Sequence, residues 1–460
     1  MTIAKYLRNT SILFFAISTP VFAHTPPTQP SPVSTAQAQQ LSEVLFENVR
    51  IFDGKSQKLS TAVNVLVRGN QIQEISSQPI NVASHVKVIQ GQQKVLMPGL
   101  IDAHWHAMLA ALPPTLMMTA EVADINFIAA QEAKNTLMRG FTSVRDLGGP
   151  VFSLKRAIDK QMVDGPRIWP SGSIISQTGG HADFRMTYEV PSATNGGLSR
   201  GEALGGGIVA DGVTEVLKRT REQLMLGASQ IKLAAGGGVS SHYDPIDVAQ
   251  YTEEEFRAAV NAAENWGTYV SVHAYTPKSI QTALKGGVKV IEHGQLLDEA
   301  TAKLMAQKGA WLSSQAFIDN EFANPQVGEN REKQKQVQAG TDKSFELAKK
   351  YKLKVAWGTD ILFNPKMTKN QGALLTTMTR WYQPAEVLKM ATSTNAELLA
   401  LSGERSPYKG KFGVVETGAM ADLLLVDGDP ITDLKLLADP NKNLLVIMKD
   451  GVIYKNILNK

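Results

Sequence analysis

The sequence predicts an α/β protein: a (β/α)8, TIM-like barrel carrying a small discontinuous β-sandwich domain built from the two ends of the chain. Three observations predict it. After Pro98, short apolar runs alternate with amphipathic stretches of about 10 to 18 residues, the rhythm of parallel βα units. Before that point, from Leu45 to Val95, the runs are strand-like with no helix signal, and past Leu401 the β-like pattern returns. Finally, His104, His106, Lys232, His273, His293 and Asp360 each fall at or near the end of a strand-like run. A barrel would turn such residues toward one mouth, whereas a doubly wound open sheet would alternate equally well without gathering them at one centre.

The elements follow in chain order. Residues 1–23 read as a secretory signal: Lys5 and Arg8, then the apolar run Ile12-Leu13-Phe14-Phe15-Ala16-Ile17, then the small-residue end Val21-Phe22-Ala23. That run is too short to span a membrane. Residues 24–40, rich in Pro and Gln, read as a flexible leader. Residues 41–97 form the first part of the β-sandwich, with Val49-Arg50-Ile51-Phe52 and Val63-Asn64-Val65-Leu66-Val67 followed by the turn pairs Asp53-Gly54 and Gly69-Asn70. Residues 98–403 form the barrel. Its eight expected strands run Gly99 to His104, Phe141 to Arg145, Arg167 to Pro170, Gln230 to Ala234, Thr268 to His273, Lys289 to His293, Ala310 to Ser313 and Lys354 to Thr359. Between two of them, Thr252-Glu253-Glu254-Glu255 has the capping-box form, Phe256, Val260 and Ala263 keep helical spacing, and Gly267 marks a stop. Residues 404–460 complete the sandwich through Asp422 to Val426, Leu444 to Met448 and Lys449 to Ile453.

Composition narrows the function classes. The 460 residues are 43% hydrophobic and 20% charged, an ordinary globular balance with enough apolar material for one large domain and a smaller one. Losing the signal removes two cations and no acids, so the formal charge drops from +4 to +2, which argues against nucleic acid as a partner. There is no cysteine, so disulfides, thiolate metal sites and cysteine nucleophiles are excluded. Beyond the signal no run reaches the roughly 18 apolar residues of a membrane span. A soluble, exported, periplasmic protein is expected, with a homo-oligomer left open.

The chemistry-bearing residues point to metal. In Leu100-Ile101-Asp102-Ala103-His104-Trp105-His106, alternate residues of a strand share a face, so one ion can touch both imidazoles. An H-x-H alone is a weak signal; its companions strengthen it. Imidazole and carboxylate suit zinc and neighbouring divalent ions, and two ions can hold a hydroxide between them while one polarises a carbonyl. Lys232 is the odd member, because an ammonium cannot donate a lone pair to a metal. Either carbon dioxide carboxylates it into an anion with two oxygens, or it is a buried strand lysine paired with an acid.

Met97-Pro98-Gly99-Leu100-Ile101-Asp102-Ala103-His104-Trp105-His106 resembles the opening motif of the amidohydrolase superfamily. Further matches are Gly227 to Lys232, Val272-His273-Ala274, Ile291-Glu292-His293-Gly294, Gly358-Thr359-Asp360 and Gly418 to Leu423. The set is similar to the secreted Xaa-Pro dipeptidase-like and imidazolonepropionase-related branch, which includes ochratoxin hydrolases. The resemblance implies two divalent ions: His104, His106 and Asp360 on one, His273 and His293 on the other, carboxylated Lys232 between them. It also implies that Asp360 takes the proton from the attacking water and hands it to the leaving amine. Deaminase-like branches carry an acid shortly after the fifth-strand histidine, whereas here Ala274-Tyr275-Thr276 follows His273, which favours amide or ester cleavage.

The loop after the third strand, Thr178-Gly179-Gly180-His181-Ala182-Asp183, places His181 where it would touch the scissile carbonyl, by resemblance and by loop position. Gly236-Gly237-Gly238 lets backbone approach a ligand but lacks the ending of a phosphate loop. Tyr243 is a candidate for a substrate carboxylate and Arg185 for added charge; each reads at least as well as a solvated loop residue, as does His242, while His24, at the cleavage edge, and His85, in the sheet domain, read most simply as surface residues. The expected function is amide hydrolysis of a small-molecule substrate, a dipeptide or an N-acyl amino acid, with zinc the favoured ion. The alternatives are a lactonase or other ester hydrolase on the same site, and a noncatalytic binding protein on a barrel scaffold.

Overall fold

In the computed structural model, which describes residues 42–189 and 197–458, the chain opens with β1 (Glu43–Ile51), β2 (Val63–Arg68), β3 (Gln71–Ser76), β4 (Lys87–Gln90) and β5 (Val95–Pro98). The signal and leader read at residues 1–40 lie outside the described residues. Antiparallel pairing joins β1 to β2 and β2 to β3, while β4 and β5 run parallel to different halves of β1. β1 therefore belongs to both layers of the small domain.

The barrel follows as β6 (Leu100–Trp105), β7 (Phe141–Asp146), β8 (Arg167–Pro170), β9 (Ile174–Ser176), β10 (Gly207–Val209), β11 (Ile231–Ala234), β12 (Val270–Ala274), β13 (Val290–His293), β14 (Trp311–Ser314) and β15 (Lys354–Trp357). All eight expected barrel strands are present, and pairing is parallel from β6 to β8 and from β11 to β15. One difference stands out. The third strand is broken at Ser171-Gly172-Ser173, where Gly172 has φ +76°, so that β8 pairs with β7 while its continuation β9 pairs with β11. The strands β9 and β10, three residues each, are too short to carry a periodic signal. Two seams close the ring: the Ser229 N–H donates to the Pro170 carbonyl at 2.7 Å, and the Asp360 N–H donates to the His104 carbonyl at 2.8 Å.

Alternation along the strands then sorts the side chains. Ile231 and Leu233, Val270, Val272 and Ala274, Ile291, Leu312, and Val355 and Trp357 share one apolar core with Phe256, Val260, Ile280, Leu284 and Phe345 of the surrounding helices. The residues between them, including Lys232, Ser271, His273, Glu292 and Ser313, therefore face the barrel axis. The helix Glu253–Asn265 starts as read, with Thr252 and Glu255 in a reciprocal capping box, and ends before Gly267 at φ +72°.

The chain returns to the small domain with β16 (Leu423–Val426), β17 (Leu444–Lys449) and β18 (Val452–Asn456), joined antiparallel to β5 and to one another. Leu423 and Leu425 pack inward with Phe46, Val65, Val67, Ile72 and Val446. Leu424 and Val426, on the opposite face, belong to the barrel's outer core. This two-sided burial explains why β16 reads as a continuous apolar run. Arg167 reinforces the junction, donating to Asp422 at 2.5 Å and to Asp450 at 2.7 Å. No helix among the described residues is long and apolar enough to cross a membrane.

Candidate metal centre

The axis-facing residues at the C-terminal ends of the strands assemble one buried centre. Lys232 on β11 and His273 on β12 point inward by alternation alone. His293 does not: Glu292 takes the inward position on β13, so the next residue should face the helices. A φ of +79° at His293 breaks the alternation, and its imidazole lies 4.5 Å from that of His273 and 5.0 Å from that of His104, centroid to centroid. Asp360, just past β15, is also left-handed, at φ +54°. Such conformations are uncommon outside glycine and cluster at functional sites.

His104, His293 and Asp360 each offer a donor atom, and these atoms lie within 4.8 Å of one another, a group able to hold a metal ion. Asp360 Oδ1 lies 3.2 Å from His104 Nε2 and 3.3 Å from His106 Nε2, and its Oδ2 lies 3.9 Å from His293 Nδ1. Three of the rings are also held by neighbours. His106 Nδ1 meets the Gly148 carbonyl at 3.3 Å, His273 Nε2 the Gly237 carbonyl at 3.1 Å, and His293 Nδ1 the Gln315 Oε1 at 2.8 Å. Fixing one nitrogen in this way aims the other.

The electrostatics favour neutral imidazoles, which carry the lone pair a metal requires. Burial pulls His106 down, His273 well below its ordinary value, and His293 down to about 3. Burial alone would raise the Asp360 carboxyl, but His104, His106 and His293 overcome it and hold the group well below the usual carboxylate range. Lys232 supplies the clearest test of fit. Its Nζ is buried without a hydrogen-bond partner among the described residues, so it is not the acid-paired strand lysine of the simpler reading. Burial lowers it to about 8, against the attraction of Glu292 and Asp360. An unpaired buried ammonium is costly; a carboxylated side chain would present two oxygen donors at the same place. The donor set therefore fits divalent ions.

The loops bring His181 to this centre. Its ring stacks on His273 at 4.0 Å, and its Nδ1 lies 3.0 Å from Ser241 Oγ and 3.6 Å from Asp244 Oδ2, leaving Nε2 for a ligand. Tyr243, 41% exposed, donates its hydroxyl to the Arg185 carbonyl at 2.7 Å, so these two sit together. Arg185, the candidate for added charge, is paired within its own loop. Asp183 grips its guanidinium through two contacts, at 2.8 and 2.5 Å, which already compensates it.

Sequence reasoning missed several supporting residues. Asp102 accepts from the His104 N–H at 3.0 Å and from the Thr359 N–H and hydroxyl at 3.1 and 2.7 Å, which ties β6 to the segment carrying Asp360. Tyr275 places its ring 4.8 Å from His273 and 5.1 Å from His293. Glu292 and Arg145 pair at 2.7 Å inside the barrel. For Glu292 the alternation of Val290-Ile291-Glu292 was the available signal.

Comparison with known proteins agrees with this architecture. Residues 95–454 match the Amidohydrolase family. Ochratoxinase of Aspergillus niger is 31% identical over 386 residues, which is 78% of this chain and 76% of the relative. A solved amidohydrolase matches with TM-score 0.82 at 36% identity over 91% of this chain and all (100%) of that one. A prolidase complexed with N-methylphosphonate-L-proline matches with TM-score 0.82 at 33% identity, over 90% of this chain and 100% of its own. The chain thus belongs to the amidohydrolase family, in the branch of ochratoxinase and the prolidase-type dipeptidases, and is a hydrolase acting on amide bonds.

Proposed function

We propose that this is a secreted, periplasmic enzyme using two divalent ions, zinc in the favoured case, to cleave the amide bond of a dipeptide or an N-acyl amino acid. The observation that carries the reading is the unpartnered Lys232 Nζ amid neutral imidazoles and an ionised Asp360. His104, His106 and Asp360 would hold one ion, His273 and His293 the other, with carboxylated Lys232 shared. When bound, the ions supply Lewis-acid polarisation of the scissile carbonyl and activation of water.

The chain's own residues do the rest. Asp360, with a side chain 20% exposed, is reachable by substrate and takes the water proton on a carboxylate oxygen before passing it to the leaving amine. His181, aimed by Ser241 and Asp244, offers Nε2 toward the carbonyl oxygen. Tyr243 is the remaining candidate for a substrate carboxylate, while Arg185 holds the turn at Asp183.

An aromatic ring beside the centre supports including apolar substrates, amides of the ochratoxin type among them. Phe317 stacks 6.0 Å from His293. The test is metal analysis of the purified protein beside a panel of dipeptides, N-acyl amino acids and matched esters. Two bound ions and release of a free amino acid are expected. Turnover of the esters alone would move the assignment to a lactonase-like hydrolase, and a metal-free, fully active protein would refute it.

A further inference from the structure

Arg145 and Glu292 are fully buried, at 0% exposure each, inside a barrel whose interior is normally filled by branched apolar side chains. A buried ion pair is weak evidence for stability, since apolar residues of similar volume often serve as well. What this pair touches gives it a more specific meaning. Arg145 donates to Glu292 Oε1 at 2.7 Å, to the Ala103 carbonyl at 2.6 Å, to the Tyr269 hydroxyl at 3.2 Å and to Ser313 Oγ at 3.1 Å. Ser271 also donates to Glu292 Oε1. The pair thereby spans β6, β7, β12, β13 and β14.

The other carboxylate oxygen, Oε2, has no hydrogen-bond partner among the described residues and lies 3.0 Å from His104 Nδ1. A buried anionic oxygen without a donor is rare, and a proton on His104 Nδ1 would satisfy it. Gln315 Nε2, a donor 3.4 Å from the same nitrogen, competes for it, but the charged oxygen is nearer, at 3.0 Å. With the proton on Nδ1, the His104 Nε2 lone pair is free for the ion that it would share with Asp360, 3.2 Å away.

We propose that Glu292, anchored by Arg145, is a positioning residue: it holds the His104 imidazole in its Nδ1–H tautomer and so sets the affinity of the ion that His104, His106 and Asp360 would share. This rests on the two-ion reading above. Chelator-competition titration with zinc, on wild type and Glu292→Gln, separates the two claims. If wild type binds no zinc, the two-ion reading fails. If it binds two ions, Glu292→Gln is expected to weaken one of them about 10- to 100-fold and leave the other unchanged. Equal affinities in wild type and a folded Glu292→Gln would overturn the proposal, even if the variant melts earlier. Should the variant not fold, nitrogen-15 spectra of histidine-labelled, zinc-loaded wild type decide. A His104 proton on Nδ1 supports the proposal, and one on Nε2 refutes it.

Discussion

Replacing Gly238 by alanine tests the placement of His181 without touching any candidate metal ligand. A Cβ at Gly238 would lie 1.9 Å from His181 Nδ1 and 2.2 Å from its Cε1. An ordinary carbon contact takes about 3.5 Å, so the ring would have to retreat by roughly 1.6 Å. It is not free to do so, because it stacks on His273 at 4.0 Å and its Nδ1 is held 3.0 Å from Ser241 Oγ. Misplacing a reacting group by about 1 Å costs on the order of 100-fold in rate. That is about 2.7 kcal/mol of barrier. The assay is kcat/KM for amide hydrolysis on Gly238→Ala, with ion content and Tm measured in parallel. We expect a loss of about 100-fold with ions retained. Overpacking should cost about 1 to 3 kcal/mol of stability. A folded variant with wild-type kcat/KM would refute the placement of His181 beside the reacting carbonyl.

Three further outcomes are expected. Asp360→Asn should keep bound metal and lose about 10²- to 10⁴-fold in kcat, the usual worth of general acid–base catalysis; an unchanged rate removes Asp360 from the chemistry. Carboxylation needs the neutral amine of Lys232, whose pKa is lowered to about 8. At fixed dissolved carbon dioxide, zinc reconstitution of chelated protein should therefore quicken from pH 6 to pH 8, as the neutral fraction climbs from about 1% to about half. Reconstitution indifferent to carbon dioxide would count against the modified lysine. Asp422→Ala should destabilise the fold to urea by about 3 kcal/mol, the low end for a broken buried pair because Asp450 still meets Arg167. A loss below about 0.5 kcal/mol, ordinary for a surface position, would show that the pair does not hold sheet and barrel together.

Much of the barrel was legible because its strands are buried on both faces and punctuated by turns, which leaves short apolar runs at regular intervals. Ile231-Lys232-Leu233 and Val270-Ser271-Val272-His273 even display their inward residues as the polar members of an alternating pattern. His293 was found by its place at the end of a strand-like run and by motif resemblance, not by alternation, which points it away from the centre. The split third strand went unread because β9 and β10 are three residues each and Gly172 marks only a turn. The pairing of Arg185 went unread for a different reason: its charge is visible in the sequence, whereas its compensation depends on how closely Asp183 approaches.

The chain by itself determined which residues could do chemistry: histidines and acids at strand ends, one lysine in a strand, and no thiol anywhere. It determined the barrel too, because period-two burial is a local property of each run. Tertiary structure decided orientation and partnership. The left-handed turns at His293 and Asp360, the bare Lys232 Nζ and the Glu292 oxygen beside His104 arise only when strands distant in sequence close into a ring. Distances of a few ångströms between such groups set their pKa values and donor directions, and no local pattern encodes them.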